Sequence, residues 1–364
     1  MTETLIRVER GGYPESFHCG AVVIADSSGA VKYEAGDGSR TIYARSSIKP
    51  VQALPLVLSG AADRFGLNEQ QLAVCCGSHN GEPMHTQTVQ ELLAKGGLEP
   101  GGLRCGVHPP YGEEAAAELI RSGTPPQTLH NNCSGKHAGM LLASLHTGLP
   151  ENEYDQPSHP VQQEVRQLLG VLGGLDPERI GYGTDGCGLP TYRLPLERLA
   201  LIFARLGEPS RLPAPLAAAI PRLTGAMARH PEMVGGTGEF DTRLIQVTSG
   251  RIIGKEGAEG IYALAIPSLG LGAALKVDDG NRRALFPAAM AVLEQLKALR
   301  PEESAALADF REPLVRSRRG EVAGALVPVL RLREASRQLQ EHRLQTLRLA
   351  ASGTALNVAE THVE

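Results

Sequence analysis

The sequence predicts an α+β fold in which one antiparallel sheet takes strands from both ends of the chain and packs against a cluster of helices. Three observations support this prediction. Strand-like patterns fill the first 40 residues, apolar helical patterns fill the middle of the chain, and strand-like patterns return after residue 250. Strands at both ends of a chain with helices between them are typical of the α+β class.

The strands at the two ends have clear sequence patterns. Residues 18–36, HCGAVVIADSSGAVKYEAG, hold two strand-like runs joined by the turn sequence DSSG. Near the other end, residues 250–267, GRIIGKEGAEGIYALAIP, and residues 272–279, GAALKVDD, alternate short β runs with turn residues. These runs predict the sheet.

The helices of the middle region are predicted by apolar periodicity that ends at glycine. The run after Lys49 is strongly apolar as far as Gly60, and residues 134–148 and 195–207 follow the same pattern. Between these helices, residues 181–192, GYGTDGCGLPTY, are predicted to be a loop because they contain four glycines.

The domain organisation is predicted to be simple. We find no internal repeat and no low-complexity linker, so residues 1–330 are expected to form a single unit. Residues 331–364 are charged and amphipathic, and they are expected to form a C-terminal appendage that is helical or partly disordered.

Composition excludes several classes of function. The chain has 364 residues, 42% apolar and 21% charged, with a net charge of −4 and both signs mixed along its length. This balance offers no basic surface for nucleic acid and no polybasic patch for a membrane. No secretory signal, no membrane-spanning apolar run and no dense cysteine pattern is present, so we expect a cytoplasmic protein with reduced thiols.

A first candidate site lies where a β-type segment meets an apolar helix, in TIYARSSIKPVQALPLVLSG at 41–60. Ser46 and Lys49 stand three residues apart, which places them on one face of a helical turn. Pro50 is tolerated there only in the first turn. Apolar surroundings lower the pKa of a lysine, and a neutral lysine can accept the proton of a serine nucleophile. The alternative is that a serine here only caps the helix.

Two further motifs strengthen the catalytic interpretation. Ser78 and Asn80 form an S-x-N on a glycine-flanked loop, and Lys255 and Gly257 form a K-x-G at the start of a strand. S-x-x-K, S-x-N and K-x-G in this order form the motif set of penicillin-recognising serine enzymes. The first two motifs are closer together here than we expect for a lactamase, which argues against a penicillin-binding role.

A second candidate site combines thiols with polar side chains. Cys133, Lys136 and His137 lie at the entrance of another helix, and Asp185 and Cys187 lie on the glycine-rich loop. Two thiolates could bind zinc, with Lys136 or His137 and a water completing a tetrahedron. The alternatives are two free thiols, a disulfide that the reducing compartment disfavours, or a role of His137 and Asp185 in binding a polar substrate.

Six longer motifs resemble those of the Rhizobium-type, thermolabile L-asparaginase II family, in the same order and over residues 5–330. They are ARSSIKPVQALPLV, CCGSHNGEP, NNCSGKHAGML, GTDGCGLPTY, HPEMVGGTGEFDT and GKEGAEGIYALAI. The resemblance implies hydrolysis of L-asparagine to L-aspartate and ammonia, a fold related to serine β-lactamases and glutaminases, and a homodimer.

The resemblance also implies roles for individual residues. Ser46 would be the nucleophile and Lys49 its general base, with Ser78 and Lys255 as a second Ser-Lys pair. Zinc would bind at Cys133, Lys136 and Cys187. Substrate contacts are expected from Arg45, Asn80, His137 and Asp185.

These observations predict an L-asparagine amidohydrolase that acts through a Ser-Lys acyl-enzyme, with zinc as a cofactor that does not supply the nucleophile. The alternatives are another serine amidohydrolase on the same scaffold, such as a glutaminase, peptidase or lactamase-like enzyme. A non-catalytic zinc- or thiol-binding protein and a metallo-amidase are further alternatives.

Overall fold

The computed structural model describes residues 2–335 and confirms the α+β fold class. The strands are β1 Glu3–Arg10, β2 Tyr13–Asp26, β3 Val31–Ala35, β4 Thr41–Tyr43, β5 Gly181–Thr184, β6 Pro190–Pro195, β7 Ile253–Gly257, β8 Ile261–Ile266, β9 Leu271–Val277, β10 Leu314–Arg316, β11 Val322–Pro328 and β12 Arg333–Glu334. The helices are α1 Lys49–Gln52, α2 Leu54–Leu58, α3 Ala61–Arg64, α4 Glu69–Cys75, α5 Pro83–Lys95, α6 Glu113–Ser122, α7 Ser134–His146, α8 Pro160–Gly173, α9 Leu196–Gly207, α10 Ala214–Arg229, α11 Phe240–Val247, α12 Arg282–Gln295, α13 Pro301–Ala306 and α14 Ala308–Arg311.

The main sheet joins the two ends of the chain, as the sequence predicts. Its strand order is β10-β11-β1-β2-β9-β8-β7, and all neighbours are antiparallel. The second half of β2 also pairs with β3, which in turn pairs with β12. The long strand β2 therefore connects the N-terminal strands to those of the C-terminal third.

Both faces of the main sheet are covered by helices. Along β2, Val22 and Ile24 point into the core on the side of α12, whereas Ala21 and Val23 point into the core on the side of α9. All four side chains are fully buried. A strand that is buried on both faces reads as a continuous apolar run, which is why AVVIA was recognisable in the sequence.

Two regions differ from the sequence-based prediction. The loop predicted at 181–192 contains β5 and β6, which form a small second sheet with β4 in the order β4-β6-β5. Residues 314–334 contain three strands that no local pattern indicated. The beginning of the predicted C-terminal appendage adds to the sheet, since Arg333 and Glu334 pair with β3. Residues 336–364 lie outside the described residues.

The small sheet and β7 place the first candidate site between the main sheet and the helical cluster. The chain leaves β4, makes a 3-10 turn over Arg45–Ile48, and enters α1. β7 is an end strand of the main sheet and packs beside this turn. Across residues 2–335, no helix has both the length and the apolar character needed to cross a bilayer.

Gly272 in β9 sets how closely α9 approaches the sheet. A Cβ at this position would lie 2.2 Å from both the Ala200 carbonyl oxygen and the Ala204 nitrogen of α9. We expect Gly272→Ala to lower the free energy of unfolding by about 1–3 kcal/mol, because the helix must move away from the strand. Urea denaturation measures this change.

The matched control is Gly101→Ala, because a Cβ at Gly101 meets no atom within 4 Å. Its unfolding free energy should stay within about 1 kcal/mol of the wild-type value. Equal effects of the two substitutions would contradict the close approach at Gly272.

Candidate active site

The 3-10 turn that carries Ser46 has an unusual backbone at the preceding residue. Arg45 has a φ of +52°, in the left-handed region that side chains other than glycine rarely adopt. Two guanidinium nitrogens of Arg45 donate to Asp185 Oδ1 at 2.8 Å each, so an ion pair to the β5–β6 connection accompanies this conformation. At the other end of the turn, the Lys49 N–H donates to the Ser46 carbonyl and Pro50 occupies the first turn of α1.

Lys49 is fully buried and its ammonium nitrogen is surrounded by oxygen atoms. It lies 2.6 Å from the Gly77 carbonyl, 2.9 Å from Ser78 Oγ and 3.1 Å from the Asn132 carbonyl. Burial lowers the pKa of Lys49 to about 8, because a charged amine is poorly solvated in the interior. The lysine can therefore exchange a proton close to neutral pH.

The structure pairs the predicted Ser-Lys residues differently from the motif order. Lys49 is hydrogen-bonded to Ser78, and within residues 2–335 no hydrogen bond joins its amine to Ser46 Oγ. Ser46, Ser78 and Lys255 instead line one cavity of about 420 Å³. The cavity thus brings together the two serines and the second lysine, and Lys49 reaches it through Ser78.

The cavity walls come from segments that are far apart in sequence. Its lining residues include Ser46, Ser78, Asn80, Asn132, Asp241 and Lys255. They also include Tyr111, Glu239, Glu256, Glu259 and Arg282. Arg282 donates to both Glu239 and Glu256, and Asn80 Nδ2 donates to Glu239 Oε1 at 3.3 Å.

Lys255 lies in a buried ion pair that the sequence did not reveal. Its ammonium nitrogen donates to Asp241 Oδ2 at 3.0 Å and to the Glu256 carbonyl at 2.9 Å. The Glu256 N–H also donates to Asp241 Oδ2. Lys255 is fully buried and Asp241 is 4% exposed, so the cavity wall contains a buried ion pair.

Gly257, the last residue of β7, allows this strand to lie close to the turn that carries Ser46. A Cβ at Gly257 would lie 2.9 Å from the Ala44 carbonyl and 3.2 Å from the Ser47 nitrogen. Only glycine fits this approach without a shift of the backbone, which explains the glycine of the K-x-G motif in physical terms.

The residues expected to contact substrate occupy three different environments. Asn80 lines the cavity. Arg45 and Asp185 are paired with each other. His137 is fully buried, with Nδ1 2.7 Å from the hydroxyl of Tyr154 and no hydrogen-bond partner for Nε2 among residues 2–335. The cavity therefore contains Asn80 but not the other three.

The second candidate site is a compact thiol–amine cluster. Cys133 and Cys187 are free thiols in mutual hydrogen-bond contact, and Lys136 Nζ lies 3.4 Å from Cys187 Sγ. The hydrogen bond from Cys187 holds the pKa of the Cys133 thiol well below its usual value, and the lysine charges nearby add to this effect. Although burial opposes it, the two thiols raise the pKa of Lys136.

The donor set of this cluster fits zinc in chemical type. Two sulfurs and one nitrogen converge, and soft thiolates with a nitrogen ligand are a combination that zinc accepts. Within residues 2–335, no group of three or more histidine, cysteine, aspartate or glutamate side chains is placed to hold a metal ion. A lysine ligand would have to release its proton, because only the neutral amine has a lone pair.

Several residues of the site escaped the sequence analysis. Asp241 lies within the motif HPEMVGGTGEFDT, but the motif predicted no role for it. Asn132 contributes a main-chain carbonyl, for which a sequence carries no signal. Tyr111 lies in a proline-rich loop that no motif indicated.

Asp241→Asn removes the charge that balances Lys255. We expect the free energy of unfolding to fall by about 3–5 kcal/mol, because a buried ammonium is left without its partner. Chemical denaturation at neutral pH measures the loss. Adding Lys255→Met to Asp241→Asn should recover part of it, since the unpaired charge is then absent.

Asp63→Asn is the matched control, because Asp63 forms an ion pair with Arg222 at the exposed surface. It should change stability little. A loss at Asp63 equal to that at Asp241 would show that the Lys255 pair has no special importance.

Comparisons with known proteins show the family of the chain. The sequence model of the L-asparaginase II family matches residues 6–328. No curated protein matches the chain in sequence. The predicted zinc, homodimer and cytoplasmic location stay predictions.

Similar solved structures include Mglu in its glutamate form, with 13% identity and a TM-score of 0.43, over 77% of this chain and 61% of that protein. The chain thus spans about three fifths of the length of Mglu. A β-lactamase from Mycobacterium bovis has 19% identity and a TM-score of 0.36, over 80% of this chain and 95% of that one. The family match, which covers most of the chain, decides the assignment. The protein belongs to the L-asparaginase II family.

Proposed function

We propose that the protein hydrolyses L-asparagine to L-aspartate and ammonia through an acyl-enzyme on Ser46. The observation that carries this proposal is the set of partners around Lys49. Two of them, the carbonyls of Gly77 and Asn132, can only accept hydrogen bonds. If Lys49 is neutral, its two N–H groups serve these carbonyls, and its lone pair is left to accept the hydroxyl proton of Ser78.

This arrangement makes Lys49 a base that acts into the cavity through Ser78. In the first step Ser46 Oγ attacks the side-chain amide carbon of asparagine. Its proton passes to Ser78 Oγ, and the Ser78 proton passes to Lys49. The same route returns the proton to the leaving nitrogen, which departs as ammonia. Water then cleaves the aspartyl ester, with Lys49 again taking and returning a proton.

In the proposed mechanism, Lys255 does not act as a second base. Its side-chain nitrogen is paired with the Asp241 carboxylate, and both residues line the cavity. We assign to the Lys255 ammonium, which this ion pair holds in place, the stabilisation of the negative charge that develops on the amide oxygen. Lys255 thus complements Lys49, which needs to be neutral when the reaction begins.

Zinc, when bound by Cys133, Cys187 and Lys136, would supply Lewis-acid polarisation and a rigid link between the segments that carry these residues. Asp185, two residues from Cys187, pairs with Arg45 immediately before the nucleophile. The chain's own contacts therefore run from the thiol cluster to the turn of Ser46. We assign the cluster to positioning, since Ser46 and Lys49 already provide nucleophile and base.

A second amide substrate, glutamine, has the same reacting group and differs by one methylene. Three assays separate an asparaginase from a glutaminase and from a lactamase-like enzyme. They measure ammonia release from asparagine, ammonia release from glutamine, and colour release from a chromogenic lactam. Turnover of asparagine with the highest kcat/KM supports the proposal, and its absence overturns it. A non-catalytic binding protein would release no ammonia and would still bind its ligand after Ser46→Ala.

Ser46→Ala should lower ammonia release below detection and leave the thermal unfolding midpoint close to that of wild type, because the hydroxyl acts only as the attacking group. Ser47→Ala is the matched control. Ser47 is fully buried and its hydroxyl donates to the Ala44 carbonyl at 2.7 Å. It should cost about 1 kcal/mol of stability and preserve most of the activity. If the folded Ser46→Ala variant retained activity, Ser46 would not be the nucleophile.

The pH dependence follows from the base. Lys49 is active only when neutral and its pKa is lowered to about 8, so kcat should rise with pH up to that value and level off above it. Lys49→Arg keeps the positive charge but does not deprotonate in the working range. It should therefore be inactive at every pH. A flat wild-type profile together with an active Lys49→Arg enzyme would mean that Lys49 is not the base.

Removing either thiol tests the zinc assignment. Cys133→Ser and Cys187→Ser should lower the zinc content of the purified protein and raise KM more than they lower kcat. Cys19→Ser is the control, because Cys19 lies in β2 outside the cluster. Elemental analysis that finds no zinc in a fully active wild type would leave only the free-thiol interpretation.

A further inference from the structure

The loop Gly106–Gly112, called here the 106–112 loop, contributes a wall of the cavity that the proposed mechanism does not use. Tyr111 lines the cavity and remains 63% exposed, so it lies at the outer rim. Its ring stacks on the imidazole of His108, with ring centroids 4.6 Å apart and planes inclined by 24°. A stacked ring at the rim offers a preordered apolar face to a small molecule.

His108 holds a second element of the site. Its Nε2 accepts the Asn132 N–H at 3.0 Å, so Nε2 carries no proton and Nδ1–H donates to the Pro109 carbonyl at 2.6 Å. The carbonyl of the same Asn132 accepts from Lys49. One imidazole therefore contacts both the Tyr111 ring and Asn132, whose carbonyl accepts from Lys49.

Both ends of the 106–112 loop are tied to neighbours of the cavity. The Gly112 N–H donates to the Asn80 carbonyl at 2.9 Å. The Asn131 side-chain amide donates to the carbonyl of Cys105 at 2.8 Å, and to that of Gly106 at 3.3 Å. These bonds fix the loop against the two segments that carry Asn80 and Asn132.

Building on the proposed amidase function, we propose that the 106–112 loop is the substrate-facing wall of the site. Tyr111 is its specificity-determining residue, against which a small, unsubstituted amide packs. His108 is a positioning residue with two separable actions. Its ring orders Tyr111, which affects substrate binding, and its Nε2 orders Asn132, which affects the chemical step through Lys49.

Two substitutions separate these actions. His108→Phe keeps a ring for stacking but removes the acceptor, so kcat on L-asparagine should fall about tenfold while KM stays within about twofold of wild type. His108→Gln keeps an acceptor oxygen but removes the ring, so KM should rise by about three- to tenfold while kcat is largely preserved. If His108 contributed only to folding, the two variants would not change different parameters, kcat in one and KM in the other.

Tyr111→Ala should raise KM for L-asparagine by about three- to tenfold with little change in kcat. Tyr13→Ala is the matched control, because Tyr13 is 78% exposed and lies in β2, outside the cavity. It should leave both parameters unchanged. Thermal unfolding of each variant confirms that the comparison is made on folded protein.

The outcomes distinguish this inference from the proposed function. If wild type turns over L-asparagine and the His108 and Tyr111 variants match it, or if both His108 variants change the same parameter, the loop assignment is overturned and the amidase proposal stands. If wild type does not turn over L-asparagine, the proposed function fails and the loop assignment fails with it.

Discussion

The buried Lys49 amine is the interaction on which the rest of the site depends. An amine in the interior needs a partner for every N–H group, and Lys49 finds its partners at Gly77, Ser78 and Asn132. These residues belong to two loops that are distant in sequence from α1. The requirement to satisfy one nitrogen therefore fixes the relative positions of three segments, while burial of the amine lowers the pKa of Lys49.

The sequence predicted the strands whose apolar pattern is local, and it failed where pairing depends on distant partners. β2 and β3 were recognisable because β2 has an apolar run, β3 alternates apolar and charged residues, and a turn joins them. β5 and β6 were not, since their glycine and proline content is typical of a loop and their pairing depends on the distant strand β4. β11 pairs with β1 at the opposite end of the chain, so the interaction that stabilises it as a strand is not visible in its local sequence.

The candidate site shows the same division. The spacing of Ser46 and Lys49 predicted that their backbones share one turn, and the structure joins them by a main-chain hydrogen bond. Spacing could not show that the Lys49 amine turns towards Ser78, because that contact depends on a loop 29 residues away. Asp241 was missed for a related reason. Only the fold shows that this carboxylate neutralises a buried lysine. In the sequence it is an aspartate close to glycines, which is also common in ordinary turns.

The long strand β2 has a consequence for when this site can exist. Its second half lies between β3, which follows it directly, and β9, which is made some 250 residues later. Lys255 reaches the cavity on β7, and β7 joins the sheet only through β8 and β9. During synthesis, Ser46 and Lys49 emerge long before β7, the strand that supplies Lys255. The nascent chain is thus without a complete site until its C-terminal third has been translated and paired with the first strands.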